Sequence, residues 1–313
     1  MILSHYALTL LSLTLTIAVS AQPVPGFLSV MRANAGKPLP HSDNGHLCGV
    51  EVQTPRVYVV NQDGRIAFDQ VIQIEEAHQI VLYSCTVSTS GIVAVAGHAR
   101  DSKGQMVGFI ATIDSGGKIR KIQRSSEFAI SRLHYDRKGN LWAVGAVPAP
   151  LRAEGNRDVL VRLLNADGAA VQSTVIPFSK DPRFTGHPGV TWFAAPSPEG
   201  LVILSHLWKK LIFVPYGNSA PRTLSYENPS NTDMVTGFAV TDQGEIYITT
   251  QGKANDIAVG ERAHRAAHGS YRWTGSNWEP VNLASGYQAL LGATGNNLLL
   301  YTNASVEWVH APR

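Results

Sequence analysis

The chain has 313 residues, of which 44% are hydrophobic and 16% charged. An apolar share of that size over that length can bury a core, which excludes a chain disordered throughout. The 26 Lys+Arg against 23 Asp+Glu leave a net charge of +3, too small to point to a nucleic-acid partner, whose phosphates call for a clustered basic surface.

Residues Ala7 to Val19 (ALTLLSLTLTIAV) form an uncharged apolar run of 13. That is the length of a signal-peptide core and short of the roughly 20 residues that span a bilayer. The small residues of Val19-Ser20-Ala21 place a cleavage site after Ala21, although the leading MILSH carries no Lys or Arg. The expectation is a signal peptide over residues 1–21 and an exported product, secreted or periplasmic, with no membrane span once the signal is removed. An uncleaved anchor is the alternative. Residues 22–46, rich in Pro, Gly and Asn, read as an extended lead-in, and residues 47–313 as the folded domain. Cys48 and Cys85 are the two cysteines. In an oxidising compartment an even pair is a candidate disulfide; two buried free thiols are the alternative. Their spacing fits no zinc motif, which needs closely paired ligands.

From Leu47 onward, short runs of Val, Ile, Leu and aromatics are divided by Gly, Asn, Asp and Ser, with almost no helical periodicity. One hairpin pattern recurs as Val81–Gly97, Ile130–Gly145, Thr191–Ser205, Val235–Gly252 and Tyr287–Asn303. Its turn glycines, Gly91, Gly139, Gly200, Gly244 and Gly295, are spaced by 48, 61, 44 and 51 residues. A second hairpin lies between the copies, as Val57–Ile72, Gly108–Gln123, Val159–Ile176, Leu211–Ser225 and Tyr271–Asn282. Alternation of the two makes a four-stranded unit of roughly 50 residues, the period of a β-propeller blade. The expected fold is all-β: a propeller of four-stranded antiparallel blades, with strands A to D running outward from the axis. A two-sheet sandwich is the alternative. If each end of the chain builds its own blade the ring has six, the preferred count; if the ends merge it has five. The C-terminal unit lacks a D-strand, and Phe27–Met31 (FLSVM) is expected to supply it or otherwise cover that edge near Ser305–Val309.

Two stretches, DRKGNLWAVG (Asp136–Gly145) and TDQGEIYITTQG (Thr241–Gly252), resemble the D-x-x-G-x-L-W/Y signature of bacterial NHL and gluconolactonase-like propellers. The aspartate is out of register in the PSPEG and TSG copies. Propellers of this kind include lyases, lactonases and binding scaffolds, so the resemblance implies the fold and leaves the activity open. It also implies a metal held by acidic and amide side chains of the inner strands. Here those strands carry Tyr83, His134, Trp192 and Phe238 instead.

The chain has no G-x-S-x-G, H-E-x-x-H, P-loop, G-x-G-x-x-G or C-x-x-C pattern, which argues against α/β hydrolases, zincins, P-loop enzymes and Rossmann dehydrogenases. A propeller site would instead be assembled on the face where the D–A and B–C connections gather. His98 and His206 follow B-strands there, and His264 and His268 fall in the long B–C segment Gln251–Gly269. These four are candidate ligands for a divalent metal. His78, His187, Glu75 and Glu76 fall on D–A connections, and Asp158 and Asp256 on B–C connections. Arg152 and Arg157, in the segment Ala146–Arg157, and Lys253, Arg262 and Arg265 in the other could fork onto a carboxylate or phosphate. Trp192 and Tyr287 are candidate aromatic floors. The preferred reading is a monomeric binding or interaction scaffold, with no cofactor beyond a candidate metal, taking a protein, peptide or small-molecule ligand at the channel mouth through His98, His206, Arg152, Arg157, Trp192 and Arg262. A metal-assisted hydrolase, lactonase or lyase on the same face is the alternative.

Overall fold

The computed structural model describes residues 22–23, 40–51, 54–146, 158–176, 192–206, 208–229, 232–252, 268–283, 288–302 and 306–312. The expected signal peptide lies outside them. Every regular element among the described residues is a β-strand. A two-residue strand, β1 (Gln22–Pro23), comes first. Six units of three or four strands follow. The first is β2 (His41–Asp43), β3 (His46–Val50), β4 (Arg56–Val60) and β5 (Ile66–Val71). The second is β6 (Gln79–Val87), β7 (Val93–Arg100), β8 (Met106–Ile113) and β9 (Ile119–Ser125). The third is β10 (Ala129–Tyr135), β11 (Leu141–Ala146), β12 (Val159–Leu164) and β13 (Ala170–Ile176). The fourth is β14 (Trp192–Ser197), β15 (Gly200–Ser205), β16 (Lys210–Pro215) and β17 (Arg222–Ser225). The fifth is β18 (Thr232–Val240), β19 (Ile246–Gly252), β20 (His268–Trp273) and β21 (Trp278–Val281). The last is β22 (Gln288–Thr294), β23 (Asn297–Thr302) and β24 (Val306–His310).

Units two to five are separate four-stranded sheets in sequence order. The remaining strands form one sheet of eight, ordered β1-β24-β23-β22-β2-β3-β4-β5. All its neighbours pair antiparallel except β22 and β2, which meet in parallel at one bridge, Ser42 to Gly292. That sheet is therefore two four-stranded antiparallel units joined at their innermost strands. The first strands of consecutive units touch in turn, β2 to β6, β6 to β10, β10 to β14, β14 to β18, β18 to β22 and β22 back to β2. The fold is a β-propeller. It has five hydrogen-bonded sheets, and its ring has six innermost strands because the two terminal units share a bridge without merging.

The outer edge of β24 is covered by β1, with Gln22 opposite Trp308 and Pro23 opposite Glu307. An N-terminal strand does supply the missing D position, but from residues 22–23. The expected donor, Phe27–Met31, lies outside the described residues. Proline suits this edge because it has no N–H to offer a further neighbour.

The second strands are buried on both faces, as the patterns of β11 and β15 show throughout, because each lies between neighbouring sheets. The core accordingly sits between units. Ala94, Ala96 and Ile110 of the second pack with Ile130, Leu133 and Ala143 of the third, and Trp142 and Val161 of the third with Trp192 and Ile203 of the fourth. Cys48 on β3 and Cys85 on β6 form a disulfide, their α-carbons 5.8 Å apart, so the first two units are also joined covalently.

The repeated D-x-x-G is the tip of a hairpin. At Asp136 the carboxylate accepts from Asn140 N at 2.9 Å, while Gly139 N donates to Asp136 O. Gly139 takes φ 80°, the left-handed region where glycine has no steric cost. Asp101, Asp114 and Asn165 do the same. So do Ser88, which bonds Ile92 N at 3.0 Å, and Thr241, which bonds Glu245 N at 3.2 Å. A hydroxyl thus fills the aspartate position in the TSG copy and in TDQG, where the aspartate itself stands one place later. The motif closes turns, one side-chain oxygen in each going to a backbone N–H; the other oxygen of Asp136 accepts from Asn140 Nδ2 and the Tyr216 hydroxyl.

Candidate functional site

The inner strands converge on a small cavity of about 60 Å³ at the end of the channel where they run into their A–B turns. It is lined from five units, by residues that include Asp43, His134, Ala194, Phe238 and Gly292. This is the end opposite the face on which the sequence places ligand binding.

His41 and Asp43 reach it through a two-residue turn. Asn44 (φ 52°) and Gly45 (φ 81°) are both left-handed, as a type I′ hairpin requires, and they fold β2 against β3 with Asp43 opposite His46. Side chains alternate along a strand, so His41 and Asp43 share one face of β2. His134 is the penultimate residue of β10.

The Asp43 carboxylate is the hub. It accepts from Thr86 Oγ1 at 2.6 Å and from His134 Nδ1, which lies 3.1 Å from both carboxylate oxygens. His41 Nε2 is 3.3 Å from Asp43 Oδ2 and 3.1 Å from Leu133 O. Thr86 Oγ1 in turn accepts from Tyr135 N at 2.9 Å. Burial alone would raise the Asp43 carboxyl, but the imidazoles of His134 and His41 outweigh it and hold the group below the usual carboxylate range. Burial pushes the His134 imidazole down, with Asp43 opposing. The consistent state is an ionised Asp43 accepting from a neutral His134.

Further ties cross the same end. Asn44 Nδ2 donates to Val87 O at 2.9 Å and to Tyr135 O at 3.2 Å, joining three units. Arg137 is ion-paired with Asp242, whose N donates to Gly295 O at 3.1 Å. Chemically, the arrangement is a polar pin through the ring. It is also a set of three side chains whose donor atoms lie within 4.8 Å of one another, the kind of set that can hold a metal ion.

The residues expected from the sequence are distributed differently. His98 is half-buried on β7 and hydrogen-bonded through Nδ1 to the Tyr83 hydroxyl, which burial pushes above its ordinary range. His206 is half-buried just after β15, and its carbonyl accepts from Lys209 N at 3.3 Å. Neither belongs to the three-residue cluster found among the described residues. Trp192 is only 3% exposed and packs edge-on against Trp208, centroids 5.5 Å apart. It is a core side chain and not an open floor, because the innermost strands pack against one another. His268 opens β20, its backbone paired with Gln251. Glu75 and Glu76 line a second cavity of about 170 Å³ together with Arg100 and Arg124. Arg152, Arg157, His187, Lys253, Asp256, Arg262, His264, Arg265 and Tyr287 lie outside the described residues. His134 was expected on an inner strand; its partners His41 and Asp43 fall in the stretch that reads as a lead-in.

No protein-family model matches the chain, and no curated protein matches it. Among solved structures it is similar to a candidate exported protein of Bacteroides fragilis, at 11% identity over 85% of this chain and 78% of that one, TM-score 0.49. It is similar to a gluconolactonase of Xanthomonas campestris, at 13% identity over 94% and 98%, TM-score 0.46. An ulvan lyase of a polysaccharide lyase family shares 10% identity over 87% and 73%, TM-score 0.47. Likenesses at this level carry no residue role or activity across.

Proposed function

We propose that the protein is an exported, monomeric β-propeller that acts as a binding scaffold and takes its ligand on the face where the D–A and B–C connections gather. The observation that supports this reading is the size of the opposite end. A cavity of about 60 Å³ admits an ion or a few waters, against roughly 300–1,000 Å³ for a small-molecule site. A hydrolase or lyase centred on the buried His–Asp–His cluster would have no room for a substrate beside it. Export is supported by the apolar leader in the sequence and by the Cys48–Cys85 disulfide. No helix among the described residues is long and apolar enough to cross a membrane.

In this reading Arg152, Arg157 and Arg262 fork onto acidic groups of the ligand, and His98 and His206 add hydrogen bonds from the rims of β7 and β15. Trp192 supports that rim from the core. The test is a screen of the purified chain against acidic peptides and glycans, followed by titration of the strongest hit. Replacing Arg152, Arg157 and Arg262 together with Ala should weaken binding at least about tenfold, ~1.4 kcal/mol, with the melting temperature unchanged. A hit that binds the triple variant as well as the parent overturns the assignment of the face. Chelator-sensitive turnover of a lactone or glycan substrate overturns the scaffold reading.

A further inference from the structure

We propose that His41, Asp43 and His134 form a binding site for a divalent transition-metal ion of the zinc type, at the narrow end of the channel. The inference is independent of the ligand-binding reading, which concerns the other face.

The donor set is the first ground. Two imidazole nitrogens and one carboxylate oxygen suit zinc and its first-row neighbours. Calcium and magnesium require six or more oxygens, and only one carboxylate is present in this set. The geometry is the second. Ligands at 2.0–2.1 Å from a tetrahedral zinc stand about 3.3–3.4 Å from one another. His134 Nδ1 is 3.1 Å from Asp43 Oδ1 and His41 Nε2 is 3.3 Å from Asp43 Oδ2. Each imidazole nitrogen therefore already stands at ligand-to-ligand spacing from the carboxylate, all three donors lie within 4.8 Å of one another, and an ion entering between them would replace the protons they now share.

The third ground is support behind the ligands. Thr86 Oγ1 donates to Asp43 Oδ2 at 2.6 Å and is itself fixed by Tyr135 N at 2.9 Å. A hydrogen bond of this kind orients a ligating carboxylate. The fourth is unmet polar demand. His134 Nε2 and Ser42 Oγ are buried and make no hydrogen bond within the protein, and both residues line the cavity. Buried polar atoms without partners are uncommon in folded proteins. A polar cavity of about 60 Å³ beside them has room for a fourth, water ligand.

The surrounding charge selects against harder cations. Arg132 is half-buried and close enough to His134 to bear on it, and Arg137 lines the cavity while paired with Asp242. Only Asp43 supplies uncompensated negative charge to the set. Neutral nitrogen donors, not a pool of carboxylates, would carry the affinity. His41 and Asp43 come from the first unit and His134 from the third, so a bound ion would cross-link two units past the one between them.

The experiment is a titration of the chelator-stripped chain with Co²⁺ alone, read by the visible absorption of a low-coordinate Co²⁺ site, followed by displacement with Zn²⁺. One Co²⁺ per chain is expected, displaced by an equivalent of Zn²⁺. His41→Ala, at a half-buried position, should lower the affinity about 100-fold or more. Asp43→Asn, which keeps the side chain's size, should do the same and guards against a folding defect in the first variant. The double variant His98→Ala/His206→Ala should bind as the parent does. Absence of Co²⁺ absorption in the parent, binding retained in both His41→Ala and Asp43→Asn, or binding lost only in the His98/His206 pair each overturns the proposal.

Discussion

Removing the Cys48–Cys85 bridge should cost the protein a measurable and calculable part of its stability. The cysteines are 37 positions apart. On the chain-entropy model, a loop of that length is worth about 13 cal/mol/K, or ~3.8 kcal/mol at 25 °C. In a propeller of this size, 1 kcal/mol corresponds to roughly 2 °C in melting temperature. Cys48→Ala/Cys85→Ala should therefore melt about 8 °C below the parent. Both sulfurs are buried, at 2% and 1% exposure, so their loss also leaves a small void, and 8 °C is closer to a floor than a ceiling. Differential scanning calorimetry gives the number. Running the parent with and without reductant separates the bridge from the void, because reduction cuts the crosslink without deleting atoms. A double variant that melts within 2 °C of the parent would refute the reasoning, as would alkylation that finds two free thiols in the unreduced native protein.

Two further outcomes follow from the inner ring. Asp43 and His134 both titrate below their ordinary values in the folded state, so the unfolded chain binds more protons as acid is added. Their contribution is present in full above the unfolded histidine value of about 6.5 and is lost progressively as pH falls below it; melts between pH 7.5 and 4 should show the decline, and a flat profile would contradict an ionised Asp43 beside a neutral His134. Gly292 takes φ 151°, and a β-carbon there would stand 2.1 Å from Ser42 O, so Gly292→Ala should lower the unfolding free energy by roughly 3 kcal/mol or more. A loss under about 1 kcal/mol in chemical denaturation would mean that β22 and β2 do not meet as closely as described.

The repeat was legible because each unit spells its hairpins twice, once in apolar runs and once in turn residues. Val-Ala-Val-Ala-Gly and Leu-Val-Ile-Leu-Ser are stretches of second strands buried on both faces, as a strand lying between sheets requires. The cysteine pair was legible from its number and the compartment expected from the apolar run Ala7–Val19. The polar cluster was hidden for a different reason. His41-Ser42-Asp43 is a three-residue strand, too short to show alternation, and it sits in a stretch dominated by Pro, Gly and Asn. The signal that could have revealed it is Asn44-Gly45, a strong hairpin marker directly before the apolar His46–Val50. His134 had the right strand assigned to it, but its partnership with Asp43 joins residues 91 positions apart, and no local pattern encodes such a meeting. The blade count was ambiguous from sequence because the terminal units are separate in strand pairing yet bridged at their first strands.

The parallel bridge between Ser42 and Gly292 sets an order of events for the newly made chain. The residues it joins stand some 250 positions apart, so most of the protein must be synthesised before the ring can shut. Hairpins within each unit can form early, since their contacts are local, whereas the closing contact carries the entropy of a very long loop and comes late. Until then the innermost edges of β2 and β22 have no neighbour from their own chain. Two molecules caught at that stage could each offer the other what it lacks, the first strand of one meeting the last unit of its twin. A chain interrupted before Gln288 lacks β22 altogether and leaves the β2 edge bare, so crowded copies of it should self-associate through that edge.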